Sequence, residues 1–146
     1  MKKEMNIPGY TFRDILYEGA DTVVFRAIST LNNKAVIIKS LKENSAGPMN
    51  AAKLTREYDA LENIQVEGVN KVSEIINYGN TPALVMEDFG GISIADYSKT
   101  TKIDLAEFLV IAIRIADILG KLHAKNIMHK NITPENIIIN SLTGEI

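Results

Sequence analysis

A chain of 146 residues that is 46% hydrophobic and 23% charged is sized and composed for one soluble globular fold, not for disorder. Its 16 Lys+Arg against 18 Asp+Glu give a formal net charge of −2, which supplies no basic field to draw in nucleic acid or anionic lipid. The absence of cysteine excludes a disulfide framework, a thiol nucleophile and thiolate metal ligation, so a reducing cytoplasm is the expected compartment.

In chain order, Met1-Lys2-Lys3-Glu4-Met5-Asn6 lacks the apolar core of a secretory signal, and Ile7-Pro8-Gly9-Tyr10 reads as a turn entry. Three β-rich runs follow at 11–17, 22–27 and 34–41, with Leu31-Asn32-Asn33 as turn chemistry between the second and third. The stretch 43–49, with Asn44, Ser45, Gly47 and Pro48, is the next break. Over 51–64, Leu54, Tyr58, Leu61 and Ile64 recur at three- and four-residue spacing, which predicts an amphipathic helix laid on a sheet. Strands are expected at 72–78 and 83–87, joined by a turn at Gly79-Asn80-Thr81-Pro82. Gly90-Gly91 then forms a strap, a short helix is expected at 94–98, and a long one at 104–124. Two short strands, 125–128 and 136–139, and a turn at 141–145 complete the order.

The most apolar window, 105–122, is broken by Glu107, Arg114 and Asp117, each costly in a bilayer, so no membrane span is expected. Its stripe of Leu105, Phe108, Leu109, Ala112, Ile115, Ala116, Leu119 and Leu122 is wide enough to predict a helix buried on most sides. Lys39 closes an apolar strand, and Glu57, 18 residues on, falls by helical periodicity on the same side of the sheet. A half-buried ammonium needs such a partner to stay charged, so the two are expected to pair. His123 and His129 lack the companions of a ligand set. They are expected to act structurally, His129 by bracing the loop that follows it.

These runs carry a resemblance. Val36-Ile37-Ile38-Lys39 looks like the V-A-I-K strand of protein kinases, and Arg56-Glu57-Tyr58-Asp59-Ala60-Leu61 resembles the following helix. Ala83-Leu84-Val85-Met86-Glu87-Asp88-Phe89-Gly90-Gly91 resembles the strand and hinge, and His129-Lys130-Asn131-Ile132-Thr133-Pro134-Glu135-Asn136 has the frame of the H-R-D-x-x-x-x-N loop. The hinge wording, with Ile7-Pro8-Gly9-Tyr10 and Leu16-Tyr17-Glu18-Gly19, looks similar to the N-terminal serine/threonine-kinase-like domain of large bacterial signalling proteins that also carry a sensor histidine kinase. The resemblance implies an α+β fold: a five-stranded antiparallel small lobe with one helix over 7–88, then the hinge and first part of a helical large lobe over 89–146. It implies a signalling domain of the serine/threonine type that takes ATP and Mg²⁺. Lys39 and Glu57 would serve the phosphates, Gly19 and Val24 the cover, and Met86, Glu87 and Phe89 the adenine, with Asn136 as a residual metal ligand.

The departures from that pattern are specific. Asn131 stands where the catalytic Asp belongs, and an amide has no useful basicity near neutral pH. Thr133 stands where these kinases carry a Lys directed at the γ-phosphate, and the three glycine positions of the phosphate loop read Tyr17, Gly19 and Thr22. This predicts a stiffer and more crowded hairpin. The sequence also stops at Ile146, ahead of the D-F-G segment whose Asp holds the principal metal. Three missing charge-handling groups at about tenfold to a hundredfold each amount to a deficit on the order of 4 to 8 kcal/mol in the barrier. Impaired catalysis is therefore expected. The alternatives are a non-catalytic pseudokinase scaffold, with the apolar helix covered by a protein partner or the remainder of a large lobe, and a truncated relic. Small-molecule phosphotransferases share the Lys and Glu logic, while the hinge and Pro134-Glu135-Asn136 favour the protein-kinase branch.

Overall fold

The computed structural model describes residues 6–79 and 81–146. The chain divides into two compact units, the first comprising the described residues up to Ile64 together with Asn70–Asp88, the second Gln65–Val69 and Phe89–Ile146.

In the first unit, β1 (Tyr10–Glu18), β2 (Thr22–Ser29), β3 (Ala35–Leu41), β4 (Val72–Tyr78) and β5 (Thr81–Glu87) form an antiparallel sheet in the order β1-β2-β3-β5-β4. Asn80, in the expected turn between β4 and β5, lies outside the described residues. The strict alternation of β2, with Val23, Phe25 and Ala27 buried, directs one row of side chains into a core shared with Ile7, Ile38, Ala83 and Val85. On the other face, Leu41 and Leu84 pack with Leu54 of α1 (Pro48–Leu61). The Tyr10 hydroxyl donates to Glu74 Oε1 at 2.6 Å, joining the two edge strands. That contact requires the sheet to coil strongly over its first core.

The helix α1 begins and ends about one turn before the expected 51–64. Pro48, read from sequence as part of a break, sits at the first helical position after the Gly47 cap, where its fixed φ favours the helix and its missing N–H costs nothing. A short 3-10 turn, Glu43–Ser45, occupies the rest of the expected break.

In the second unit, β6 (Ile92–Ser93) leads directly into α2 (Ile94–Thr100), and α3 (Leu105–His123) follows. Ser93 and Asp104 cap the two helices by accepting the backbone N–H of Asp96 and Glu107. Residues 125–128 are not the strand expected from their composition. The Asn126 N–H bonds the His123 carbonyl and the Ile127 N–H bonds that of Leu122, with Asn126 left-handed at φ 59. Those two bonds close α3 in the paired pattern of a Schellman turn, and residues 125–128 take part in no strand. The expected strand at 136–139 shortens to β7 (Ile138–Ile139), which pairs with β6 instead.

The apolar stripe of α3 is also not the buried surface expected. Ile111 and Leu122 are buried, yet Leu105 is 73% exposed and Phe108 57%, with Leu109, Val110 and Ile113 exposed beside them. Burial on most sides needs a second layer of helices, and among the described residues of this unit the other α-helix is the seven-residue α2.

Candidate functional site

Cross-strand register places Val24, Lys39 and Leu84 directly opposite one another, and paired residues of an antiparallel sheet share a face. This is the face covered by α1, because Leu84 packs on Leu54. One pair further along, Arg26, Ile37 and Met86 form the next row on the same face. The turn of α1 that buries Leu54 carries Glu57 one residue short of Tyr58, and its carboxylate reaches the Lys39 ammonium at 2.6 Å through Oε1 and 2.8 Å through Oε2. Both side chains are partly sheltered, at 25% and 36% exposure for Lys39 and Glu57. An ammonium has three donors, so two contacts with Glu57 leave capacity for an incoming anion.

The β1–β2 hairpin closes by a hydrogen bond from the Gly19 N–H to the Thr22 carbonyl, 2.9 Å. A methyl group added to Gly19 would come within 2.9 Å of both Cε1 and the hydroxyl of Tyr17, so the Tyr17 ring lies along the glycine. Crowding at this hairpin thus has a named source. Lys42 ties it from β3's end, donating its backbone N–H to the Asp21 carbonyl and pairing its ammonium with Glu18 at 2.9 Å.

After β5, Glu87 donates its N–H to the Lys71 carbonyl, and the side chain of Asp88, 5% exposed, receives Arg26 Nε at 2.6 Å. Arg26 also lies 3.6 Å from Asp14. Sequence reasoning missed this cluster. Its one local signal was an arginine inside an otherwise apolar alternating strand. Phe89 belongs to the second unit, where its carbonyl accepts from the Asn140 side chain at 2.6 Å.

The second unit holds the other sequence-nominated residues. His129 braces the loop as expected, its Nδ1 accepting the Asn131 N–H at 3.3 Å. Asn136 donates its side-chain amide to the Asn131 carbonyl at 3.1 Å and its backbone N–H to the Thr133 carbonyl at 3.0 Å. Lys130, between His129 and Asn131, is left-handed at φ 62, and Asn131 is exposed. Glu135 is held below the usual carboxylate range by its own backbone N–H and the Thr133 hydroxyl. The structure therefore brings together Lys39 with Glu57, places Val24 and Met86 on their face of the sheet, and joins Asn131 to Asn136. Glu87 falls on the opposite face, in register with Val36.

Chemically, the Lys39–Glu57 pair presents a fixed positive group suited to phosphate oxygens. The loop at 129–136 presents amides and a bracing imidazole, and Asn131 can hold a hydroxyl without taking its proton. Among the described residues no group of three His, Asp or Glu side chains is placed to hold a metal ion. One amide oxygen at Asn136 falls short of the several oxygens Mg²⁺ requires, so a magnesium ion would have to arrive with its own phosphate ligands. No helix among the described residues is long and apolar enough to cross a membrane.

The family model described as protein kinase domain matches residues 10–146. A probable serine/threonine-protein kinase of Clostridium acetobutylicum is 29% identical over 132 residues, covering 89% of this chain and 20% of that protein. The serine/threonine-protein kinase dst4 of Dictyostelium discoideum is 32% identical over 149 residues, covering 97% of this chain and 30% of that protein. The crystal structure of the PknI kinase domain of Mycobacterium tuberculosis matches with a TM-score of 0.73 at 16% identity, covering 100% of this chain and 60% of that one. This likeness shows the fold, an α+β kinase small lobe with the start of a large lobe. The chain thus spans less than a third of the curated relatives it resembles, and it belongs to the protein kinase family.

Proposed function

We propose that this chain is a nucleotide-binding, protein-kinase-like signalling domain of the serine/threonine type whose phosphoryl transfer is impaired. The observation that carries the reading is the bidentate contact between Lys39 and Glu57. It is retained while Asn131 replaces the base. Lys39 would hold nucleotide phosphates, Val24 and Met86 would line the adenine side from the sheet, and the backbone of 87–89 would meet the adenine edge. Gly19 would lie in the cover. Bound ATP would bring Mg²⁺, whose contribution is to neutralise phosphate charge. The protein's own part is then binding and orientation, since neither Asn131 nor Thr133 supplies the charge that transfer needs. A cytoplasmic signalling role, at the N-terminal end of a larger multidomain protein, completes the proposal.

Thermal denaturation with and without ATP and Mg²⁺ tests it. Ligand linkage raises the melting temperature of wild type, and Lys39→Ala abolishes the rise. A wild-type transition unmoved by millimolar nucleotide would overturn the nucleotide reading. Transfer of labelled γ-phosphate to a generic protein substrate is expected to stay at background, and robust transfer would overturn the impairment.

A second reading is favoured by the exposed Leu105, Phe108 and Ile113 on α3. A non-catalytic interaction module would cover such a surface with a protein partner or with further kinase-domain sequence. Light scattering tests this second reading: an uncovered face drives self-association of the 146-residue chain, and a well-behaved monomer would count against it.

A further inference from the structure

Arg26 is the one charged residue in a strand that otherwise carries apolar and hydroxyl side chains. While Val23, Phe25 and Ala27 point into the first core, Arg26 follows Val24 on the opposite face, two residues or about 7 Å along β2. Register carries its row across the sheet as Arg26, Ile37 and Met86, beside the row of Val24, Lys39 and Leu84. Seen from Lys39, the Arg26 row lies toward the end of β5, where Glu87 and Asp88 follow.

The guanidinium has two carboxylate neighbours of unequal kind. Its Nε donates to Asp88 Oδ2 at 2.6 Å, across the intervening β3, and that carboxylate is withdrawn from water. Asp14 lies 3.6 Å from Nη1 and is 57% exposed, so its pull is the weaker and the more screened. A short, charge-assisted bond to a sheltered carboxylate fixes the residue that bears it. Glu87 is held from the other side, its N–H donating to the Lys71 carbonyl at 3.2 Å, just ahead of β4. The main chain at 87–88 is thus tied toward β2 by a side chain and toward β4 by its own amide.

We infer, resting on the nucleotide reading above, that Arg26 is the positioning residue for base recognition: through Asp88 it holds the main chain of 87–88 in the arrangement that tells a purine edge from a pyrimidine one. A base edge is read by hydrogen bonds to a few placed polar groups, and such groups discriminate well only when they are fixed before the ligand arrives. Lys39 cannot make the distinction, because every nucleoside triphosphate brings it the same phosphates. Strength of binding and choice of base are therefore set by different residues. Loss of the guanidinium loosens the 87–88 segment and leaves the Lys39–Glu57 contact one row away in place.

Isothermal titration of the whole chain with ATP and with UTP, each with Mg²⁺, reads the ratio of affinities. Wild type is expected to favour ATP about tenfold, the scale of one to two net hydrogen bonds at the base edge. Arg26→Met removes the guanidinium, keeps an unbranched stem and is expected to bring the ratio close to one. Asp88→Asn, which keeps the shape of the side chain, is the second variant should the first fail to fold, and it is expected to narrow the ratio in the same direction. Arg26→Lys should retain part of the preference, and Asp14→Asn should leave it at the wild-type value. A merely structural Arg26 would lower both affinities in parallel and leave their ratio where it was. Equal binding of ATP and UTP by wild type, or a wild-type ratio persisting in whichever of Arg26→Met and Asp88→Asn fold, overturns the inference while leaving nucleotide binding intact. Failure of both nucleotides to bind wild type removes the nucleotide reading itself and the inference with it.

Discussion

The contact between Lys39 and Glu57 permits a quantitative test because its two ends are unequally sheltered, at 25% and 36% exposure. Glu57→Ala leaves an ammonium with only a quarter of its surface in water and two hydrogen bonds at 2.6 and 2.8 Å unmade. Net charged hydrogen bonds are worth about 1.5 to 3 kcal/mol, and partial exposure scales this toward the surface range, giving an expected loss of about 1 to 2 kcal/mol. Lys39→Met removes the charge from the more sheltered end and keeps an unbranched apolar stem on the face of Leu84. Water then solvates the carboxylate left behind, so the expected loss is smaller, about 0 to 1 kcal/mol. The double variant should lose less than the sum, with a coupling of about 1 kcal/mol. Urea denaturation of the four proteins measures the cycle, provided the m-value is unchanged across it. Coupling below about 0.3 kcal/mol, within ordinary additivity, would show that the contact contributes no net energy and that its geometry is incidental.

Gly68 is left-handed at φ +87 and faces the Ile118 side chain, so Gly68→Ala should destabilise the second unit by about 1 to 3 kcal/mol in chemical denaturation. Gly120, inside α3 with no neighbour within 4 Å of an added methyl, should gain about 0.5 to 1 kcal/mol on Gly120→Ala in the same assay. Asp104→Ala removes the cap on the Glu107 N–H at 2.8 Å and should cost about 1 kcal/mol. The Tyr10 hydroxyl, pushed from 10.0 up to about 12 by burial and by its bond to Glu74, stabilises the fold in its protonated form. Because the folded value is the higher, its contribution is complete below pH 10 and is lost as pH rises toward 12; Tyr10→Phe should flatten that part of the alkaline stability profile. Asn131→Asp should leave stability within about 0.5 kcal/mol of wild type, since the loop's bonds to that position are made by its main chain.

The legible parts of this fold are those where a local period fixes a side-chain direction. Strand alternation set Lys39 on one face, helical spacing set Glu57 beneath it, and the two rules together were enough to join residues 18 apart. The illegible parts follow from turn chemistry and from pairing at a distance. Pro48 reads as a breaker because proline cannot continue a helix, although it can start one, and Asn126 reads as strand because nothing in its neighbours announces a left-handed closure. Arg26 and Asp88 lie 62 apart, and their contact depends on β3 standing between β2 and β5, an order that no period in either strand encodes.

The altered loop remained readable for a related reason. Asn136 donates to the carbonyl of residue 131, and His129 accepts that residue's N–H, so neither contact senses whether the side chain there is a carboxylate or an amide. Architecture at this position is written in main-chain hydrogen bonds, and proton transfer is written in the side chain alone. The same division holds at the hairpin, where the Gly19 to Thr22 bond closes the turn although Thr22 occupies a glycine position. Substitutions of this kind can remove chemistry and leave the frame standing. The Lys39–Glu57 contact is different in kind. It is made entirely by side chains, in a partly sheltered place where losing one partner leaves the other poorly satisfied, and backbone geometry alone would not preserve it. In a chain that also carries an amide at position 131, it is therefore the contact on which the proposed anion binding rests.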